Sequence, residues 1–321
     1  MAPRLGLGGG ITADPSSTLF GEPNLLLDDY PGADIAYSIR KLSKNYAGYA
    51  MNVRVDINDD GDTTPDKTAD VAFDDDGFVS ASSKIYNPSS GGSDGDTLAT
   101  FVGSENEVYV ATWYDQSGNS KNATDTSGSP TLANQPKLYT SNSLITDVTS
   151  GTARAALLWD AADLMHFSNS GFALGGNTTF FVSRSTRADD SIPWTLSFDN
   201  ITPAHYLHFQ QNIEAHFYYQ NGLAGAASVA MNNVGNLDEK RRLFSYLATT
   251  SAQTITANGV SNSSGFPDAG TSSMSGSSGL GNSIGYFGYQ GKMQEFIHYD
   301  TDQTSNSSNI ASDINTALEV Y

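Results

Sequence analysis

The chain of 321 residues contains no cysteine, which excludes disulfide bonds, thiolate metal sites and cysteine nucleophiles. Basic residues are also scarce: 16 Lys and Arg stand against 35 Asp and Glu, which leaves a formal charge of -19. A field of that sign repels phosphate backbones and anionic membranes, so no nucleic-acid partner is expected. No stretch approaches the roughly 20 apolar residues that span a bilayer, so no membrane insertion is expected either.

The sequence does contain many short apolar runs between polar, glycine-rich turns. Its 31 glycines are scattered between these runs. In the second half, strands are predicted over 155–159, 165–167, 178–184, 194–198, 205–209, 214–219, 242–249, 253–257 and 293–299. Short strands at regular spacing predict an all-β sandwich or jelly roll.

Two helices are also predicted. The apolar residues Ile35, Ile39 and Leu42 are spaced i, i+4 and i+7, which predicts a short helix over 33–42. Near the end of the chain, Ser308 is the predicted N-cap of a second helix. The residues predicted on the apolar face of that helix are Ile310, Ile314, Ala317, Leu318 and Tyr321.

The most specific motif is WYDQSGN over residues 113–119, which ends a strand predicted to begin near Val108. Its polar side chains have two interpretations: they hydrogen-bond a sugar, or they hold the turn. The second is favoured, with Asp115 accepting backbone N–H groups, because such residues at a strand end commonly hold turns. We therefore predict a structural motif of Trp113, Tyr114, Asp115, Gln116 and Gly118.

An acidic loop that begins at Asp56 matches the D-x-[DN]-x-[DN]-G start of a calcium loop, with Gly61 at the sharp turn. Position twelve is Lys67 instead of a bidentate Glu, so the loop is not an EF-hand. The alternative is a solvated acidic hairpin tip. The predicted cofactor is Ca²⁺, and its predicted ligands are Asp56, Asn58, Asp60, Asp62 and Asp66, with Asp70 as an alternative closing ligand.

Several segments resemble a LamG-like, concanavalin A-type sandwich. Residues 155–160 and 164–167 resemble its opening strands, and NTTFFVS over 177–183 resembles its third. GKMQEFIHYD over 291–300, with the terminal helix, resembles its closing strand and helix. The resemblance implies a concanavalin A-like jelly roll and identifies no activity.

The first half resembles the N-terminal part of the glycoside hydrolase family 54 catalytic domain, the α-L-arabinofuranosidase B type. The residues that carry this resemblance are Ala36-Tyr37-Ser38, Val53-Arg54, Asp70-Val71-Ala72-Phe73 and residues 114–119. With LLLDDYPG over 25–32, the same assembly also resembles a structural protein of marine tailed bacteriophages.

A retaining glycosidase needs two carboxylates about 5–5.5 Å apart. The hydrolase resemblance implies that Glu214 is the nearest match to the nucleophile and that Asn282 stands where the family has its acid. An amide cannot protonate a leaving oxygen, so we predict that the protein is not an enzyme. His205 and His208 are three residues apart on a predicted strand, hence on opposite faces, so no zinc site is predicted.

The predicted function is a bacteriophage virion structural protein, acting as a head decoration, a fibre or a tail adsorption protein. Residues 1–30 are predicted to form an extended arm that anchors it to other virion proteins. Residues 31–321 are predicted to form one sandwich domain, with family-specific strands over 31–150 and a LamG-like part over 151–321. The chain starts without the apolar block of a secretory signal, so the expected location is the virion surface after cytoplasmic synthesis. Self-association, with a trimer as the working assumption, is also expected.

Two further functions are considered. One is binding of a cell-surface glycan, with Tyr286 and Tyr289 as candidate contacts beside a Ser/Gly-rich loop predicted over 261–283. The alternative for these two tyrosines is a place on core-facing strands. The other function is an active arabinofuranosidase.

Overall fold

The computed structural model describes residues 24–55, 67–104, 107–125, 134–160, 162–168, 172–173, 176–186, 191–196, 204–210, 214–220, 226–231, 240–249, 252–265, 273–274, 277–280 and 288–321. None of the helices in this described part is long and apolar enough to cross a membrane.

The elements of the first half are α1 (Leu26–Asp29), β1 (Ile35–Ser38), β2 (Met51–Val55), β3 (Lys67–Val71), β4 (Ile85–Tyr86), α2 (Leu98–Val102), β5 (Val108–Trp113), β6 (Ala123–Thr124), β7 (Lys137–Thr140), β8 (Ser143–Leu144) and β9 (Thr146–Asp147). The second half contains β10 (Arg154–Ala155), β11 (Leu157–Trp159), β12 (Met165–Ser168), β13 (Phe172–Ala173), β14 (Asn177–Ser185), β15 (Ser191–Leu196), β16 (Ala204–Gln210), β17 (Glu214–Gln220), β18 (Ala226–Met231), β19 (Arg242–Ala248), β20 (Ala252–Ala257), β21 (Val260–Gly265), β22 (Ser273–Met274), β23 (Ser277–Leu280), β24 (Gly291–Tyr299) and α3 (Ser307–Leu318).

Antiparallel pairing divides most of these strands between two layers. The front sheet has the spatial order β4–β3–β2–β5–β6–β12–β23–β15–β16–β17–β18. The back sheet has the order β21–β20–β19–β14–β24, and β1 and β11 pair with different parts of the free edge of β24. Strand β7 pairs with both β5 and β11 and so joins the two layers.

The core lies between these layers and is rich in aromatic side chains. The ring of Tyr37 on β1 lies 5.8 Å from that of Trp113 and 6.2 Å from that of Phe296, measured between centroids. Phe167 on β12 closes the cluster, 5.7 Å from Tyr37. All four side chains are buried. The fold is therefore an all-β jelly-roll sandwich with a short C-terminal helix, as the strand pattern predicted.

The helix predicted over 33–42 is wrong, because residues 35–38 form strand β1. All four residues of β1 are buried, since the strand lies against β24 inside the sandwich. A strand buried on both faces loses its polar–apolar alternation, and such a run cannot be told from a buried helix by periodicity. The spacing of Ile35, Ile39 and Leu42 matched a helical face by coincidence.

The long loop predicted over 261–283 is also wrong in its described part, which contains β22, β23 and most of β21. The described side chains at 261–263 are exposed, so the strand shows no apolar alternation. Backbone pairing with β20 holds it instead. Serine-rich strands of this kind give little signal in sequence.

The C-terminal helix is confirmed, with Ile310, Ile314 and Leu318 fully buried. It begins two residues earlier than predicted, because its N-cap is Asn306 instead of Ser308. Tyr321 lies beyond the helix and is 49% exposed instead of joining its apolar face.

The arm predicted over residues 1–30 falls partly outside the described residues, which begin at Asn24. Residues 24–30 belong to the folded domain. Leu26 is fully buried in helix α1, and the backbone N–H of Leu27 donates to the carbonyl of Leu42. Any extended arm therefore ends before this point.

Candidate functional site

The front sheet carries a continuous line of mostly polar and aromatic residues on one face, which we call the outer row. Residues directly opposite each other on antiparallel strands share a face of the sheet. Successive pairings from β4 to β18 place one member on each strand. In spatial order the outer row is Tyr86, Asp70, Asn52, Thr112, Thr124, His166, Gly279, Thr195, Tyr206, Tyr218 and Ser228.

The residues next to the outer row along each strand show which way the row faces. Those on β2 to β6, β12 and β23 are apolar and fully buried: Ile85, Val71, Met51, Trp113, Ala123, Met165 and Leu280. Ala215 on β17 is also fully buried, three positions before Tyr218. Because successive residues of a strand point to opposite faces, the outer row lies on the side of the front sheet away from the core.

The outer row is accessible from Tyr86 to His166 and carries few charged residues. From Tyr86 to His166, every side chain in the row is half-buried. The row contains no Lys or Arg, and its one carboxylate is Asp70. Hydroxyl, amide and imidazole groups both donate and accept hydrogen bonds. This face therefore suits a neutral ligand that is rich in hydroxyl groups.

Asp70 is the centre of a hydrogen-bond network at one end of the row. Its Oδ1 accepts from Asn52 Nδ2 at 2.9 Å and from the hydroxyl of Tyr114 at 2.7 Å, and its Oδ2 accepts from Asn87 Nδ2 at 2.9 Å. Burial raises the pKa of Tyr114, and the hydrogen bond to Asp70 raises it further. Tyr114 therefore stays protonated and holds the carboxylate in place.

Beside this network lies a group of half-buried tyrosines that we call the tyrosine cluster: Tyr46, Tyr49, Tyr86 and Tyr114. The rings of Tyr49 and Tyr86 stack with centroids 5.5 Å apart and an interplanar angle of 28°. The hydroxyl of Tyr46 donates to the carbonyl of Tyr49 at 2.8 Å, and burial raises its pKa to about 12. Such rings present an apolar body and a polar tip to a ligand.

His166 lies at the middle of the outer row. Burial lowers the pKa of its imidazole, and nearby Asp125 opposes that change. With a pKa below its usual value of about 6.5, the ring is mainly neutral at pH 7. A neutral imidazole offers one donor and one acceptor, so it adds no charge to the row.

Next to the tyrosine cluster, the WYDQSGN motif forms a rigid corner at the end of β5. Asp115 Oδ1 accepts from the backbone N–H groups of Ala36 and Ser117, both at 2.9 Å, and Oδ2 accepts from that of Lys121 at 3.0 Å. Gly118 has φ of +92°, a conformation that glycine adopts without strain. The prediction that Asp115 holds the turn is confirmed.

Gln116 and Trp113 attach this corner to the segment that follows β1. Gln116 Nε2 donates to the carbonyl of Arg40 at 3.0 Å, and its Oε1 accepts from the N–H of Leu42 at 2.9 Å. The indole N–H of buried Trp113 donates to the carbonyl of Ser38 at 3.3 Å. These polar groups stabilise the fold and are not available to a sugar.

Most other predicted site residues lie outside the described residues. This holds for the calcium ligands at 56–66, for Tyr286 and for Asn282. The glycan contact predicted at Tyr289 is corrected, because this side chain is fully buried and its hydroxyl donates to the carbonyl of Arg184 at 2.8 Å. Glu214 is the first residue of β17 and lies opposite Gln210 in the register. Alternation from Tyr218 places Glu214 on the outer face.

A groove of about 270 Å³ lies on the opposite side of the sandwich, and we call it the back-sheet groove. Strands β19 and β20 and helix α3 border it, with Ser245, Thr256, Ser307, Ala311 and Tyr321 among its lining residues. It offers small hydroxyl and methyl groups and one aromatic ring. The front sheet therefore provides the richer set of binding groups.

Sequence reasoning missed the tyrosine cluster and the outer row. Tyr46 and Tyr49 lie in an irregular segment, Tyr86 lies in a strand of two residues, and none of the three belongs to a recognised motif. The sequence analysis makes Asp70 an alternative calcium ligand and part of a hydrolase-like segment, whereas in the structure its two oxygens accept hydrogen bonds from three side chains. The half-polar alternation of β2 and β3 was the available signal, since it shows that one face of these strands is not in the core.

No family model matches the chain, and no curated protein matches its sequence. Among solved structures, a GH54 α-L-arabinofuranosidase matches with a TM-score of 0.59 at 12% identity, over 89% of this chain and 63% of that chain. The binding domain of botulinum neurotoxin serotype D gives a TM-score of 0.43 at 11% identity, over 64% of this chain and 48% of that one. A CBM40 domain of a Ruminococcus gnavus sialidase, bound to sialyllactose, gives 0.38 at 10% identity, over 45% and 92%.

The chain spans less than two thirds of the arabinofuranosidase chain that it matches. At 12% identity this similarity shows the fold, an all-β sandwich of the kind that the sequence resemblance predicted.

Proposed function

We propose that the protein binds neutral glycan chains through the outer row and the tyrosine cluster of the front sheet, without hydrolysing them. The observation that carries this proposal is the line of phenol, carboxylate, amide, hydroxyl and imidazole groups that runs from Tyr86 to His166 on an accessible face. These groups can exchange hydrogen bonds with sugar hydroxyls, and the tyrosine rings give flat apolar surfaces for the C–H faces of sugar rings.

The negative charge of the protein favours neutral glycans over anionic ones. With a net charge of -19 and no cation in the outer row, the face repels anionic polysaccharides. Asp70, already hydrogen-bonded by Asn52, Tyr114 and Asn87, is the one negative group in the line. A neutral polymer avoids this repulsion.

The biological setting that we propose rests on the resemblance of residues 25–32 and the rest of the chain to bacteriophage structural proteins. The domain would then be a virion component, as a head decoration, a fibre or a tail adsorption protein, and would present the front sheet to glycans outside the particle. The anchor at residues 1–23, the calcium loop and the homo-oligomer remain predictions from the sequence.

Catalysis is the competing function, because the solved structure with the highest TM-score of those given above is an arabinofuranosidase. The test is incubation of the protein with an aryl α-L-arabinofuranoside, with the release of the aryl group followed by absorbance. We expect no release above that of buffer. Release by the wild type that disappears in Glu214→Gln would contradict our proposal and restore the hydrolase.

Binding is tested on an array of neutral and anionic polysaccharides, followed by isothermal titration with neutral oligosaccharides of two to eight sugars. We expect a signal for neutral chains, and an affinity that rises with chain length as more of the outer row is occupied. A protein that binds no neutral glycan on the array, with and without Ca²⁺, would refute the proposal.

A further inference from the structure

Two positive side chains lie side by side on the outer face of the back sheet. Arg184 on β14 is directly opposite Lys292 on β24, and both side chains are half-buried. Their strand neighbours Ser183 and Met293 are buried, which places Arg184 and Lys292 on the face away from the core. Like charges directly opposite each other on paired strands are destabilising. A negative partner would relieve this repulsion.

The charged ends of both side chains reach the same short segment, which begins in β9. Arg184 Nη2 forms an ion pair with Asp147 Oδ1 at 2.7 Å and donates to the carbonyl of Val148 at 2.6 Å. Lys292 Nζ donates to the carbonyl of Thr146 at 2.6 Å. Because residues two apart on an extended chain are separated by at most about 7 Å, the two charged groups lie close enough to hold one ion.

Two further arginines add to the positive charge, and we call the four residues the basic cluster: Arg154, Arg184, Arg241 and Lys292. Arg154 lies opposite Asp147 in the register of β9 and β10, with its guanidinium 3.8 Å from the ring centroid of Phe78. Buried Arg241 donates to the backbone carbonyl of Asp147 at 3.3 Å. Burial lowers the pKa of Arg241; Asp147 opposes this change, and repulsion from Arg184 and Arg154 adds to it.

The basic cluster carries more positive charge than its carboxylates offset. It holds four of the 16 Lys and Arg residues of the chain. Two carboxylates act on it: Asp147 pairs with Arg184, and Glu319 lies near enough to Arg241 to stabilise its charge. Within the part of the chain that the structure describes, the guanidinium of Arg154 makes no hydrogen bond or ion pair, and Arg184 uses only its Nη2. Several N–H groups therefore remain for a ligand.

We propose that Arg184 and Lys292 bind a small oxyanion, a phosphate or sulfate group either free or as the ester of a small molecule, within the positive potential of Arg154 and Arg241. Arg184 Nη1 and Lys292 Nζ would donate charge-assisted hydrogen bonds to its oxygens. The net charge of -19 repels polyanions, so the ligand is a small ion and not a nucleic acid. The site does not depend on glycan binding at the front sheet.

The experiment is titration of the full-length protein with sodium phosphate at constant ionic strength, followed by calorimetry and by the phosphorus NMR line width. We expect one phosphate per chain, and sulfate should compete with it. Glycerol phosphate in place of phosphate distinguishes an ester ligand from a free ion. Lys292→Gln should weaken binding by about 10-fold or more, because it removes a hydrogen bond from a charged group.

Lys84→Gln is the matched control, because it removes an exposed lysine that lies just before β4 and outside the basic cluster. It should bind phosphate like the wild type. Arg184→Lys keeps the positive charge and loses the guanidinium, so it should retain part of the affinity. Circular dichroism and thermal unfolding confirm that each variant is folded. A purely structural role for the basic cluster would lower stability in the variants without any phosphate binding to lose.

Two results would overturn the proposal. One is a wild type whose phosphorus line and heat signal do not respond to phosphate. The other is a folded Lys292→Gln variant that binds phosphate like the wild type. If that variant does not fold, nitrogen–proton NMR of the wild type decides: the amide resonances of Thr146, Asp147 and Val148 must shift with phosphate. Shifts confined to other parts of the chain would refute the assignment.

Discussion

The two outer faces of the sandwich differ in what covers them. On the back sheet, helix α3 lies over β19 with Ile310, Ile314 and Leu318 buried beneath it, and the remaining surface is the back-sheet groove with its small hydroxyl groups. On the front sheet, no helix of the described residues covers the outer row, and from Tyr86 to His166 its side chains stay half-exposed. One outer face is thus largely covered by structural contacts, and our proposal places glycan binding on the other.

Two buried arginines form structural contacts on the covered side. Arg241 is fully buried and donates to the carbonyls of Leu318 and Glu319, where it caps the C-terminal end of α3. Arg40 forms ion pairs at 2.9 Å with buried Glu295 on β24 and with Asp313 on α3. These contacts fix the helix to the back sheet. These two arginines are therefore used for structure and not for ligand recognition.

We expect the largest loss of stability when the ion pairs of Arg40 that attach helix α3 to the back sheet are broken. Arg40→Met leaves the carboxylate of Glu295 buried without its cation, so the free energy of unfolding should fall by about 3–5 kcal/mol. Urea unfolding measures the loss. The double variant Arg40→Met/Glu295→Gln should recover part of it, because no buried charge then lacks a partner. A loss below about 1 kcal/mol for Arg40→Met would mean that solvent reaches this pair.

A smaller effect is expected on oligosaccharide affinity, and it compares the front and back faces directly. Tyr49→Ala/Tyr86→Ala removes the stacked pair beside the outer row, and its affinity for the best neutral oligosaccharide should fall about 10-fold, or roughly 1.4 kcal/mol. Tyr321→Ala is the matched control, since it removes an exposed tyrosine at the back-sheet groove. Titration calorimetry compares them. Equal losses for both variants, or a loss only in the control, would reverse the assignment of the faces.

The smallest effect is expected on the pH dependence of stability, and it arises in the turn that connects the two sheets. Asp163 lies in the turn between β11 of the back layer and β12 of the front sheet, where its Oδ2 accepts from the N–H of Asp160 at 2.7 Å. Burial raises its pKa from 3.8 to about 8. The folded protein therefore holds a proton that the unfolded chain releases, and stability should fall as pH rises from about 4 to 8.

Asp163→Asn keeps an acceptor oxygen and removes this titration. Its unfolding midpoint should exceed that of the wild type at pH 9 and approach it at pH 4. Thermal unfolding across this range measures the difference, with Asp302→Asn as an exposed carboxylate control. A difference that is the same at both pH values would show that Asp163 is ionised throughout.

The sequence predicted the β class, most strands of the second half and the C-terminal helix because these elements repeat their burial pattern along the chain. Strand β14 and helix α3 are examples: an apolar run between turns, and an apolar face every three to four residues. It failed at β1 and β21. Strand β1 is buried on both faces and strand β21 has exposed side chains at 261–263, so neither strand shows the alternation of polar and apolar residues that predicts a strand.

The candidate site was less predictable than the fold. Asp115 could be assigned to a turn because its partner Ser117 is two residues away. The outer row could not be found in this way, since each of its members lies on a different strand. Residues from Asn52 to Ser228 become neighbours only through the order of strands in the front sheet.

The sequence by itself determined the absence of cysteine chemistry, the strongly negative charge, the all-β class and the turn at residues 113–119, because each follows from composition or from local spacing. Strand register decided the rest. It aligned the positions of the outer row across the front sheet, from Tyr86 on β4 to Ser228 on β18. Register depends on pairing between distant segments, and a shift of one residue would turn each of these side chains to the other face.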